Sequence, residues 1–155
     1  MNNYSPDSAI INKDDLKRKK IVFSENNRVY ECLNDTNENV LMIHIDGGLF
    51  PESESSVRCD YGFEIDGKLG NRTCLVELKG HNIKHACEQL YNTLVYFEEK
   101  YSVNKFFCRI VSSGNKKPNI ESIEEKKLSA YLRQKSYAIL KVYTNRFSEK
   151  LTNLK

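Results

Sequence analysis

No run of apolar residues in this 155-residue sequence approaches the ~18 that cross a bilayer. Nor do the first residues join a charged start to an apolar stretch of signal-peptide length. These absences argue against a membrane partner and lead to the expectation of a cytoplasmic protein. A CxxC pair is also missing. The five cysteines, Cys32, Cys59, Cys74, Cys87 and Cys108, are odd in number and mostly sit in apolar runs, which favours buried thiols over a disulfide framework. With no internal repeat and no long linker, one domain is expected over 9–155, preceded by a loose polar arm over 1–8. The apolar share of 39% lies below the usual ~45–50%. A chain of this length nevertheless buries roughly 68–70% of its unfolded surface, so a real core is expected.

What is present is a modest excess of positive charge, +3 overall, compatible with a polyanionic partner but shared by many unrelated proteins. A short helix is predicted around Ile10–Leu16, with Asp14 and Asp15 early and Lys17–Lys20 at its end. Arg28–Leu33 and Val40–Ile45 read as strands of a hairpin across the polar Asn34–Asn39. A third strand over Val57–Ile65 and a fourth over Arg72–Lys79 meet at the turn Asp66–Asn71 and should pair antiparallel. Ile83, Ala86, Cys87, Leu90, Leu94 and Phe97 then recur at helical spacing. Lys105–Val111 is an apolar strand that can return parallel to the fourth through a right-handed crossover. A second helix over Ile120–Leu132, a strand over Tyr137–Tyr143 and an irregular tail complete an α/β order.

The chemistry concentrates in two short stretches, Arg58-Cys59-Asp60-Tyr61 and Leu75-Val76-Glu77-Leu78-Lys79-Gly80. Side chains alternate across a strand, so Glu77 and Lys79 share a face. If the intervening turn closes as a hairpin, Tyr61 falls nearly opposite Glu77, and Asp60 comes within reach of it. Two carboxylates so placed repel unless a positive group intervenes, and Mg²⁺, a hard oxygen-seeking cation, would serve. Gly80 and a helix starting near His81 or Asn82 add N–H groups suited to phosphate.

Asp60, a gap, then Glu77-Leu78-Lys79 resembles the PD-(D/E)xK motif of restriction-endonuclease-like nucleases. The match covers about Arg28–Val111 and departs in having Cys59 where that family often has proline. The resemblance implies an αβββαβ core, a mixed central sheet flanked by helices, and cleavage of nucleic-acid phosphodiesters, DNA ahead of RNA. It implies Asp60 and Glu77 as Mg²⁺ ligands, Mn²⁺ being able to substitute, and Lys79 as the group assisting the attacking water. It also implies a glutamine in the next helix, for which Gln89 is the candidate, and an upstream acid, Glu31 or else Asp46 or Asp15. The alternative is a non-catalytic module of the same fold that binds or regulates, alone, as a homodimer or with a partner subunit.

Other features carry less. His81 and His85 lack an evident third metal ligand, and Asp46-Gly47-Gly48 lacks the GxxxxGK pattern of a phosphate loop. Tyr91, Tyr96, Phe97, Tyr101, Phe106 and Phe107 are expected to be mostly core, and Lys116 and Lys117 to face solvent or a phosphate.

Overall fold

Runs of β-branched and aromatic residues dominate the first half of the chain, and strands dominate the architecture accordingly. The computed structural model describes residues 1–51, 57–113, 121–135, 137 and 140–155. Its strands are β1 (Lys20–Glu25), β2 (Arg28–Leu33), β3 (Asn39–His44), β4 (Tyr61–Gly67), β5 (Gly70–Lys79), β6 (Lys105–Ser112), β7 (Lys141–Thr144) and β8 (Arg146–Lys150). The helices are α1 (Ile83–Lys100) and α2 (Ile123–Gln134). Among the described residues no helix is long and apolar enough to cross a membrane.

Five strands form a mixed sheet in the order β3-β4-β5-β6-β7, antiparallel from β3 to β5 and parallel from β5 to β7. The expected β4–β5 hairpin is present, closing at Gly67 and Gly70, where Gly70 takes a positive φ of 79° that suits glycine. The crossover to a parallel β6 is present as well. A register one residue off the expected one pairs Tyr61 with Val76, leaving Asp60 and Glu77 just past the last paired rung.

The period-two alternation of β5 divides the core into two layers. Leu75 joins Ile43, Phe106, Cys108 and Ile110 beneath α1 and α2, against Ala86, Leu90, Leu94, Phe97, Leu128 and Leu132. Cys74, Val76 and Leu78 face the other way with Met42, Phe63 and Phe107, covered by Ile21, Phe23, Tyr30 and Phe147. These last residues come from a second sheet, β1-β2-β8. The result is an α/β architecture in which both helices lie on one face of the mixed sheet and a three-stranded sheet lies on the other. Each fully buried large apolar side chain contributes roughly 1.5–3 kcal/mol, so both interfaces matter to stability.

The helices begin where their capping residues stand. Asn82 accepts the N–H of His85 at the start of α1, and Ser122 with Glu125 forms a reciprocal capping box at the start of α2.

The first half departs from the sequence expectation. Ile10–Leu16 is not helical, and the strand that follows, β1, pairs antiparallel with β2 across Asn26-Asn27, whose φ angles of 46° and 64° fit a tight two-residue turn. β2 therefore does not pair with β3, and its other neighbour is β8, parallel. The opening residues are held rather than loose: Tyr4 is 2% exposed, and its hydroxyl donates to buried Glu64 at 2.7 Å. All five cysteines are free and buried. Lys116 and Lys117 lie outside the described residues.

Candidate functional site

At the end of β5 the antiparallel ladder with β4 stops, and two acids complete what the backbone leaves open. Glu77 Oε2 accepts the backbone N–H of Asp60 at 3.1 Å, and Asp60 Oδ2 accepts the backbone N–H of Leu78 at 2.8 Å. The Asp60 carbonyl in turn accepts from Ile45 N–H at 2.9 Å, which locks this residue between β3 and β5. Lys79 Nζ lies 3.6 Å from Glu77 Oε1. Asp60, Glu77 and Lys79 are thus brought together at one end of the mixed sheet.

Their burial differs in a way that sets their charges. Glu77 is 0% exposed, and its Oε1 has no hydrogen-bond partner, whereas Lys79 keeps 27% of its side chain in solvent. Burial pushes the Glu77 carboxyl well above its usual range, the Asp60 charge pushes it further, and Lys79 opposes both. Asp60 rises from its ordinary 3.8 to about 6, chiefly through burial, with Glu25 and Asp46 adding repulsion, and the Leu78 N–H and Lys79 pulling it down. Both carboxyls therefore keep their protons to higher pH than free ones do, a perturbation of the kind found at acid–base sites.

The expectation of bound Mg²⁺, with Mn²⁺ as its substitute, is overturned. Among the described residues no group of three or more His, Cys, Asp or Glu is placed to hold a metal ion. The physical reason is visible in the hydrogen bonds, since one oxygen of each acid is already committed to a backbone N–H. The third acid does not arrive either. Glu31 faces outward from β2 and pairs with Lys20 at 3.3 Å. Asp15 is exposed, and Asp46 acts on Asp60 as a repelling charge.

Gln89 supports the site from α1 without joining it. Its Nε2 donates to the carbonyl of Arg58 at 2.7 Å, and the nearby Thr93 hydroxyl accepts the N–H of Cys59 at 2.9 Å. Both bonds anchor the segment leading into Asp60. His85 spends its backbone on the α1 cap and its ring on Glu88, 3.5 Å away.

Two residues near the site escaped the sequence reading, Glu25 and Arg28, which flank the Asn26-Asn27 turn. Their signal was the adjacent asparagine pair between short β-forming runs. A cavity of about 720 Å³ between α1 and α2, lined by Cys87, Tyr91, Leu128 and Tyr131 among others, touches none of Asp60, Glu77 and Lys79. Compared with protein-family models, curated proteins and solved structures, the chain finds no match in any of the three.

Proposed function

We propose that this chain cleaves nucleic-acid phosphodiester bonds, DNA ahead of RNA, at the cluster of Asp60, Glu77 and Lys79. The observation that carries the reading is their convergence at a strand end: a carboxylate, a buried acid and a half-buried ammonium, held by backbone hydrogen bonds. The run β3-β4-β5-α1-β6 supports a restriction-endonuclease-like layout, with turns and the β1–β2 hairpin standing where the first helix of that layout would be. Five free, buried thiols suit a cytoplasmic setting.

The chemistry follows from the charges. Lys79 faces solvent and can neutralise a non-bridging phosphate oxygen, where negative charge grows in the transition state. Asp60, ionised above about 6, orients a water and takes its proton as the new oxygen–phosphorus bond forms. The bond to the leaving oxygen breaks, and that oxygen takes a proton from Lys79, which solvent later restores. Glu77 is a positioning residue, with Oε1 toward Lys79 and Oε2 on the Asp60 N–H.

A second reading, a nucleic-acid-binding module that does not cut, is favoured by the same hydrogen bonds, because both acids also serve to finish the sheet. Nicking of supercoiled plasmid, with RNA as a parallel substrate, separates the two. Cutting by the native chain, reduced ~10²–10⁴-fold in Asp60→Asn and Lys79→Ala while circular dichroism is unchanged, supports the first. Salt-sensitive binding without cutting supports the second. Neither behaviour would sink both.

A further inference from the structure

Arg28 is 8% exposed, yet its Nε has no hydrogen-bond partner, and among the described residues no carboxylate forms an ion pair with it. A buried N–H that no protein group satisfies, on a side chain with no counter-charge, is a place where an anion can supply the missing acceptor. Alternation along β2 explains how it comes to be there. Arg28, Tyr30 and Cys32 face the mixed sheet, while Glu31 faces away. Tyr30 and Cys32 meet the core, but Arg28 stands at the hairpin end of the strand and reaches past it.

What it reaches is the residue after Lys79. Arg28 Nη1 and Ser113 Oγ each lie 3.8 Å from the point a Cβ on Gly80 would occupy. The Ser113 N–H donates to the carbonyls of Lys79 and Gly80, both at 3.2 Å, which fixes this corner between β5 and β6. Beyond it begins α1, eighteen residues long with no acid in its first turn. Guanidinium and hydroxyl therefore flank the corner that follows Lys79, whose side chain leaves β5 from its other face, and all three stand at the carboxyl ends of two parallel strands, where ligands of open α/β sheets commonly bind.

We infer that Arg28 grips a backbone phosphate of the bound nucleic acid next to the one facing Lys79, so that the three-stranded sheet supplies one side of the binding groove. The inference rests on the proposed function but concerns binding, not cutting. Arginine suits the role, since its fork can hold two phosphate oxygens.

Fluorescence anisotropy with a labelled DNA oligonucleotide, titrated at several salt concentrations, tests it. The native chain should bind with an affinity that falls steeply with salt. Arg28→Ala and the shape-preserving Arg28→Gln should weaken binding about tenfold and reduce the slope of log affinity against log salt by ~0.9, the value of one lost phosphate contact. Arg28→Lys should restore most of the slope. A merely structural role would leave the slope unchanged. Native-like affinity and slope in Arg28→Gln would overturn the inference and leave the proposed function standing. A native chain that ignores DNA and RNA alike would remove both.

Discussion

Asp60 and Glu77 hold each other through the main chain: the N–H of the first donates to the second at 3.1 Å, while the carboxyl of the first takes the next free N–H, that of Leu78, at 2.8 Å. Two acids that would ordinarily repel are fixed side by side because each satisfies a backbone donor that the finished ladder leaves exposed. The cost of that arrangement is electrostatic, and it is paid at neutral pH.

Stability should therefore fall as pH rises. Both acids titrate higher in the folded chain than in the unfolded one, Asp60 moving from 3.8 to about 6 and Glu77 well upward. Below the unfolded values both states are protonated and no penalty exists. As pH climbs, the unfolded chain ionises first, and stability is lost until the folded values are passed. For Asp60 alone the loss is up to ~3 kcal/mol, at ~1.4 kcal/mol per pKa unit. Urea midpoints at pH 4 and pH 8 measure it. Asp60→Asn, which keeps an acceptor for Leu78, should be the more stable protein at pH 8 and lose that advantage at pH 4. Parallel curves would contradict the assignment.

Phosphodiester cutting should carry the same titration with opposite sense. Asp60 works as a base only when ionised, so the rate should rise through pH 6 and stand roughly tenfold below its plateau at pH 5. A Lys79→Ala chain should be slow at every pH, with this limb moved to higher pH because the charge that lowers the Asp60 pKa is gone. A native rate that is flat between pH 5 and pH 8 would remove Asp60 from the role.

Much of this end of the molecule was legible because it is local. Glu77 and Lys79 share a strand face by alternation, α1 announces itself by its apolar spacing, and the turn before Gly70 closes β4 onto β5. The division into two sheets was not legible, because it depends on distant partners. β2 looks like the first arm of a hairpin with β3, yet Tyr30 pairs with Phe147 on β8. The polar Asn34–Asn39 stretch is as suitable for crossing between sheets as for a hairpin turn, and Asn34 serves the crossing by bonding the carbonyls of Arg18 and Glu38. The missing third carboxylate has the same origin, since Glu31 went with its strand to the outer face.

The held N-terminal segment offers a simple check. Tyr4 packs among Phe97 and Tyr101, and its hydroxyl donates to Glu64, which is 0% exposed. Tyr4→Phe keeps the ring and removes one buried donor, which should cost ~1–3 kcal/mol in urea denaturation. An unchanged midpoint would mean that the segment adds nothing.

A buried ion pair joins the two sheets. Arg109 on β6 donates through Nε to Glu149 on β8 at 2.7 Å and through Nη2 at 3.2 Å, and the Tyr30 hydroxyl donates to the same carboxylate at 2.8 Å. The two charged side chains are 1% and 2% exposed. Removing one leaves the other buried without its counter-charge, so Glu149→Ala should lose about 3–5 kcal/mol. Replacing both, with Arg109→Met and Glu149→Leu, removes that uncompensated charge and should be far milder than either single change. A double-mutant cycle in urea therefore reads the coupling directly, and costs that simply add would mean the pair does not link β6 to β8.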